Sequence, residues 1–200
     1  MNNKPNPGPW ATLMFASIMW VFSAMYLGLF KGDNYLMYGV ILAVSLPFWV
    51  KAANDYYAME DPYMIISGHY YMAFGFLFGG MMGFGYLACA LGHVFPIVLQ
   101  DETVFGVIFI VGGVFLLPQI PSMLYLDKVS CITYVIADIW LFGGIYYFIP
   151  DSVFLYYLNV VCCLVMTVGV TWMMINESAI MVYGKGVPMG KPFKAFPTEE

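Results

Sequence analysis

The sequence predicts an all-α integral membrane protein with six transmembrane helices and both the N and C termini in the cytosol. Three observations carry this prediction. The 200 residues are 62% hydrophobic and only 10% charged, whereas an ordinary soluble domain is about a quarter charged. The apolar residues gather into stretches of the roughly 20 residues that a helix needs to cross hydrocarbon. The lysines are divided unequally between the two sets of loops.

The predicted spans are Pro9 to Phe30, Asn34 to Asn54, Met64 to Gly85 with an extension to Gly92, Thr103 to Pro121, Val129 to Ile149, and Val153 to Ile175. Proline, glycine or charge separates each from the next. The chain thus divides into an N-terminal cytosolic segment (1–8), a six-helix membrane domain (9–175) and a cytosolic tail (176–200). A β-barrel would alternate polar and apolar residues, and the run Val107 to Leu117 shows no such alternation. The basic side chains are all lysines. Lys4, Lys51, Lys128, Lys185, Lys191 and Lys194 fall on the side of the termini and Lys31 alone on the other, the asymmetry expected when the termini are cytosolic. The first fifteen residues lack the order of a cleavable signal peptide, so the first span is expected to remain. A basic patch for nucleic acid is absent.

Gly75, Gly79 and Gly83 recur every fourth residue along the third span, a bare stripe where another backbone can approach closely. That helix is expected to be central or to lie between subunits. Pro118 and Pro121 interrupt the end of the fourth span. They predict either a break lining a solute path or a kinked helix end. Cys89, Cys131, Cys162 and Cys163 have no metal-ligand spacing and read as free apolar thiols.

Asp138 falls about nine residues into the fifth span, roughly 13 Å from its end at helical rise. A mid-span acid is costly, by roughly 2.5 to 3.5 kcal/mol on insertion scales, and usually faces a pathway. It is a candidate proton-responsive carboxyl, the alternative being an acid bonded to a neighbouring helix. His69, nearer the cytosolic end of the third span, is a second candidate, with a histidine at the headgroup boundary as its alternative. Lys51 and Asp55, four residues apart, read as a surface pair. Two histidines on different segments cannot make paired haem ligands, and no clustered carboxylates or nucleophile motif points to an enzyme. No cofactor and no metal site is expected.

The segment Asn6-Pro7-Gly8-Pro9-Trp10-Ala11-Thr12-Leu13-Met14-Phe15 resembles the signature of the acetate uptake transporter family, which includes the succinate-acetate permeases. The match lies at Asn6, Pro7, Pro9 and Phe15, with departures at Trp10 and Ala11. Gly39 to Ala43, Ser67 to Phe76, and Asn176-Glu177 with Val187-Pro188-Met189-Gly190 extend the similarity along the chain. The resemblance implies proton-linked movement (symport) of acetate, another small monocarboxylate or succinate through a pore in each protomer, with protomers assembled as a hexamer in the plasma membrane. It further implies a constriction at Phe15 and Tyr71, with Tyr70 as the register rival of Tyr71. The third constriction position falls near Ala137, without the family's bulky side chain. Independently of the resemblance, Phe15, Tyr71 and Ala137 lie at a shared depth of roughly 9 to 12 Å into their spans. Asn6 and the first helix N-terminus are candidates for anion entry. Two other readings remain open: a passive channel for small neutral solutes, and a non-transporting sensor or assembly protein.

Overall fold

The computed structural model describes residues 7–29, 35–94 and 103–195. Six helical spans in it are long and apolar enough to cross a membrane, and the described residues contain no strand. The chain therefore reads as a multi-pass membrane protein. The helical elements are α1 (Gly8–Tyr26), α2 (Tyr35–Tyr57), α3 (Pro62–Phe74), a π-helical segment (Gly75–Met82), α4 (Gly83–Val94), α5 (Thr103–Leu116), a short 3-10 turn (Leu117–Gln119), α6 (Ile120–Met123), α7 (Lys128–Phe142), a second 3-10 stretch (Gly143–Phe148) and α8 (Val153–Tyr183).

Each span packs against its neighbours in sequence, and the sixth closes back onto the first. This closed ring puts the large aromatic side chains inside: Trp49, Trp140, Tyr70, Tyr71, Tyr134, Phe15, Phe74, Phe78 and Phe109 are all fully buried. The outer face carries exposed Phe48, Phe76, Phe84, Phe115, Phe154 and Val168. In water such a surface would be untenable, but in hydrocarbon exposed apolar side chains cost nothing.

The third span runs unbroken from Met64 to Gly92, realising its longer predicted extent. Its glycines face α2. A Cβ on Gly75 would stand 2.5 Å from Trp49 Cβ, one on Gly79 2.7 Å from Leu46 Cα, and one on Gly83 2.5 Å from the Ala43 nitrogen. Across the seam the pattern is reciprocated, since a Cβ on Gly39 would meet the Leu87 backbone at 2.7 Å. The third span sits in the ring between the second and the fourth, and its glycine stripe is buried within the protomer against α2.

The last helix differs most from expectation. The predicted tail begins at 176, whereas α8 continues to Tyr183 and closes at Gly184, which adopts the left-handed conformation (φ 67°) and bonds back to Ile180 O at 2.9 Å. Asn176 and Glu177 end the apolar run without ending the helix, because polarity alone removes no backbone hydrogen bond. The start of α7 is capped by Asp127, whose carboxylate accepts the Ser130 N–H at 2.9 Å and the Ser130 hydroxyl at 2.8 Å. At the far end of α7, Asn159 donates to Gly143 O at 2.9 Å and to Leu155 O at 2.8 Å, so its buried amide is satisfied. Pro118 and Pro121 are exposed at the end of the fourth span, where they tighten and kink the helix end and line no interior path. A polar seam joins the first and sixth spans: Ser23 and Thr167 hydroxyls lie 2.7 Å apart, and Thr167 also donates to Met19 O at 3.1 Å.

Candidate functional site

At the end of the ring where the described chain begins and ends, the spans leave a cavity of about 350 Å³. Thr12, Tyr56, Ser67, Ser130, Tyr134 and Asn176 give it hydroxyl and amide groups, Asp127 and Glu177 give it carboxylates, and four methionines, Met59, Met64, Met173 and Met189, give it apolar wall. The volume lies at the lower end of the range for small-molecule sites. Its mouth is shaped by the segment after α8. There Trp172 Nε1 donates to Pro188 O at 3.1 Å, Val129 N donates to Met189 O at 3.1 Å, and Lys194 N donates to Leu124 O at 2.9 Å. These bonds hold the segment as a strap against the start of α7, and Lys128 Nζ lies 5.4 Å from the Phe193 ring centroid.

One helical turn deeper the polar lining stops at a layer of rings. Thr12 precedes Phe15, Ser67 precedes Tyr71, and the Tyr56 ring lies 5.2 Å from that of Tyr71. The centroids of Phe15 and Tyr71 are 6.0 Å apart. Both are fully buried, so the two residues expected at a common depth do meet in the interior. Above them Phe74 and Phe78 stack at 5.1 Å, and Phe22, Phe109 and Trp140 continue the column. Rings this close leave no water-wide passage, so the interior is closed here.

Tyr70 is turned differently from Tyr71. Its ring stacks on Tyr134 at 4.2 Å, and its hydroxyl lies 3.2 Å from Met123 Sδ and 3.5 Å from Asp138 Oδ2. The two tyrosines therefore occupy different walls of the interior. Asp138 faces inward and is buried, as is Ala137 beside it. Its other oxygen, Oδ1, has no hydrogen-bond partner among the described residues, and neither do the buried Tyr71 and Tyr134 hydroxyls or Trp140 Nε1. A buried polar atom left unpaired is costly, so the free oxygen of Asp138 marks a place where water or a polar solute would be welcome.

His69 does not join this group. It is exposed, with its ring edge-on to Tyr57 at 5.4 Å, because the inward face of α3 is taken by Ile66, Tyr70, Tyr71 and Phe74. Of the two readings open for His69, its exposure on the outer face of the bundle fits the histidine at the headgroup boundary better than the proton-responsive group. Asn6 lies outside the described residues, as does the side chain of His93. Lys51 and Asp55 form the expected pair, and Lys51 Nζ lies 5.2 Å from the Trp10 ring centroid. The four cysteines are buried and form no disulfides, and no cluster of metal-binding side chains occurs among the described residues.

The sequence reading missed Trp49, Tyr56 and Tyr134. Trp49 carried no signal, since it falls near the end of the predicted second span, where a tryptophan of the interfacial belt is expected, and only the fold shows it fully buried in α2. Tyr134 carried one, one helical turn before Asp138 on the same face of α7. No family model, curated protein or solved structure matches the chain.

Proposed function

We propose that this protein moves acetate or a similar small monocarboxylate, with a proton, along the axis of its six-helix ring. The observation that carries the reading is the succession on one axis of a polar cavity open at one end and a closed layer of rings built on Phe15 and Tyr71. A short acid presents two chemistries that this succession matches. Its carboxyl group meets the hydroxyls of Ser67 and Tyr134, and its methyl end passes between aromatic faces when a ring swings aside. Asp138 and Tyr70 on the facing wall supply the proton-exchanging group. The resemblance at Asn6, Pro7, Pro9 and Phe15 supports the same substrate class. In this proposal both termini face the cytosol, the membrane is the plasma membrane, and the protomers form a ring of identical copies.

Uptake of labelled acetate into proteoliposomes, with and without an imposed proton gradient, tests the reading. Gradient-stimulated entry above that into empty vesicles is the expected result, and entry equal to that into empty vesicles would refute it. A passive channel for neutral solutes is the second reading. It is favoured by the cavity's two carboxylates and the lack of lysine or histidine among its described lining residues, and gradient-independent glycerol entry would support it. If no solute tested crossed at all, the closed ring layer would belong to a non-transporting sensor or assembly protein.

A further inference from the structure

The aromatic layer has a third member, supplied by a span to which the sequence assigned no pathway residue. Trp49 of α2 is fully buried. Its ring centroid lies 5.2 Å from that of Phe15 and 5.5 Å from that of Tyr71, and those two are 6.0 Å from each other. Three rings from three helices thus form a closed triangle. The three differ in how they are held. Trp49 Nε1 donates to Ser45 Oγ at 2.9 Å, and the Ser45 hydroxyl donates to Leu42 O at 2.6 Å, so the indole is tied to its own backbone. A buried indole N–H needs such a partner. Phe15 has no polar atom to tie, and the Tyr71 hydroxyl has no partner among the described residues. Across the seam, Gly75 removes the side chain that would otherwise collide with Trp49 Cβ at 2.5 Å. The indole is therefore admitted by one helix and anchored by hydrogen bonds within its own, whereas Phe15 is held by ring packing alone.

We infer that Trp49 is the fixed wall of the constriction and that Ser45 positions it, so that this pair sets the largest acid able to pass. The inference rests on the transport reading above. Opening the triangle requires one ring to move, and the gap that results is bounded by the ring that stays. A smaller or unanchored ring at position 49 widens that gap.

The test compares acetate and hexanoate uptake in proteoliposomes by Trp49→Phe, Ser45→Ala, Ser45→Thr and a control, Trp20→Phe. Trp20 is an exposed indole bonded to Thr171 at 3.1 Å, remote from the triangle. Each preparation is first matched to wild type in unfolding temperature and size-exclusion profile. The acetate-to-hexanoate ratio should fall at least about tenfold in Trp49→Phe, since even one methylene in a pocket commands that much discrimination and the indole-to-phenyl change is larger. It should also fall in Ser45→Ala, return to the wild-type value in Ser45→Thr, which restores the hydroxyl, and remain unchanged in Trp20→Phe. Wild-type ratios in both folded Trp49→Phe and Ser45→Ala would overturn the inference while leaving transport intact. A ratio lowered equally in Ser45→Ala and Ser45→Thr would overturn the positioning role of Ser45. Failure of the wild-type protein to admit acetate would refute the transport reading itself, and the size filter with it.

Discussion

Replacing Gly79 and Gly80 separately by alanine tests the packing of the third span with two neighbouring residues of one chemistry. At Gly79 the new methyl carbon would lie 2.7 Å from Leu46 Cα and 2.9 Å from its nitrogen, so that backbone, which cannot rotate away, must retreat toward ordinary contact at 3.4 Å or more. Overpacking of this kind costs about 1–3 kcal/mol. At Gly80 the nearest atom would be Gly75 O at 4.0 Å, and nothing has to move. There alanine gains up to about 1 kcal/mol from the lost freedom of glycine in the unfolded chain. The two variants should therefore differ by about 1–4 kcal/mol, with Gly79→Ala below wild type and Gly80→Ala at or above it. The four cysteines provide the assay, because all are buried in the folded protein. A thiol-reactive fluorophore in detergent reports unfolding as they become exposed. Gly79→Ala should label at a lower temperature than wild type and Gly80→Ala at the same or a higher one. Equal midpoints for the two variants would show that the seam yields without cost, and the ladder would lose its structural meaning.

Phe15→Ala and Tyr71→Ala should each admit longer acids than wild type, measured as the ratio of butyrate to acetate uptake, and an unchanged ratio counts against the ring layer as the gate. Asp138→Asn keeps the size of the side chain and removes its proton. At matched acetate concentration, wild-type uptake should fall as pH rises, because an ionised Asp138 repels the anion across a poorly polarisable interior, while the variant should lose this component. Identical profiles would make Asp138 a structural residue. Asn159→Leu removes the buried amide's hydrogen bonds to Gly143 O and Leu155 O and should cost about 1–3 kcal/mol in the same thiol-exposure assay. Ending the chain at Gly184 removes Met189 from the cavity wall, so a cysteine placed at Ser67 should react faster with a membrane-impermeant thiol reagent than in the full chain; equal rates would show that the strap does not cover the mouth.

The number of spans and most of their extents were legible because crossing hydrocarbon takes a length of apolar chain that little else in a sequence imitates. The end of α8 was not, since Asn176 looks like a boundary when hydropathy alone is read, whereas the helix stops only where Gly184 takes a positive φ. Phe15, Tyr71 and Asp138 could be picked out by motif, depth and the cost of a buried acid, and the structure brings Phe15 and Tyr71 into ring contact. Facing direction was harder. His69 and Tyr70 are consecutive, yet one is exposed and the other buried, and a span apolar on all sides offers no periodicity to say which is which. Trp49 was hidden for a different reason: its role depends on Gly75, a residue of another helix whose contribution is the absence of a side chain.

The seam between the second and third spans also bears on how the protein is assembled in the bilayer. Gly68 opposes Tyr57 nearest the connecting turn, followed by Gly75 against Trp49, Gly79 against Leu46, Gly83 against Ala43, and Leu87 against Gly39. Sequence separation grows rung by rung from that turn, so the pair can close as a zipper from one end, each contact shortening the loop the next has to span. A helical hairpin that completes itself in this way needs no other span to be present. Its glycines are consumed in the act, and the faces left outward carry Phe76, Met81 and Phe84. Association with lipid or with another copy is then left to this outward face, where Gly80 lies open among the bulky side chains while Gly75, Gly79 and Gly83 are already sealed inside.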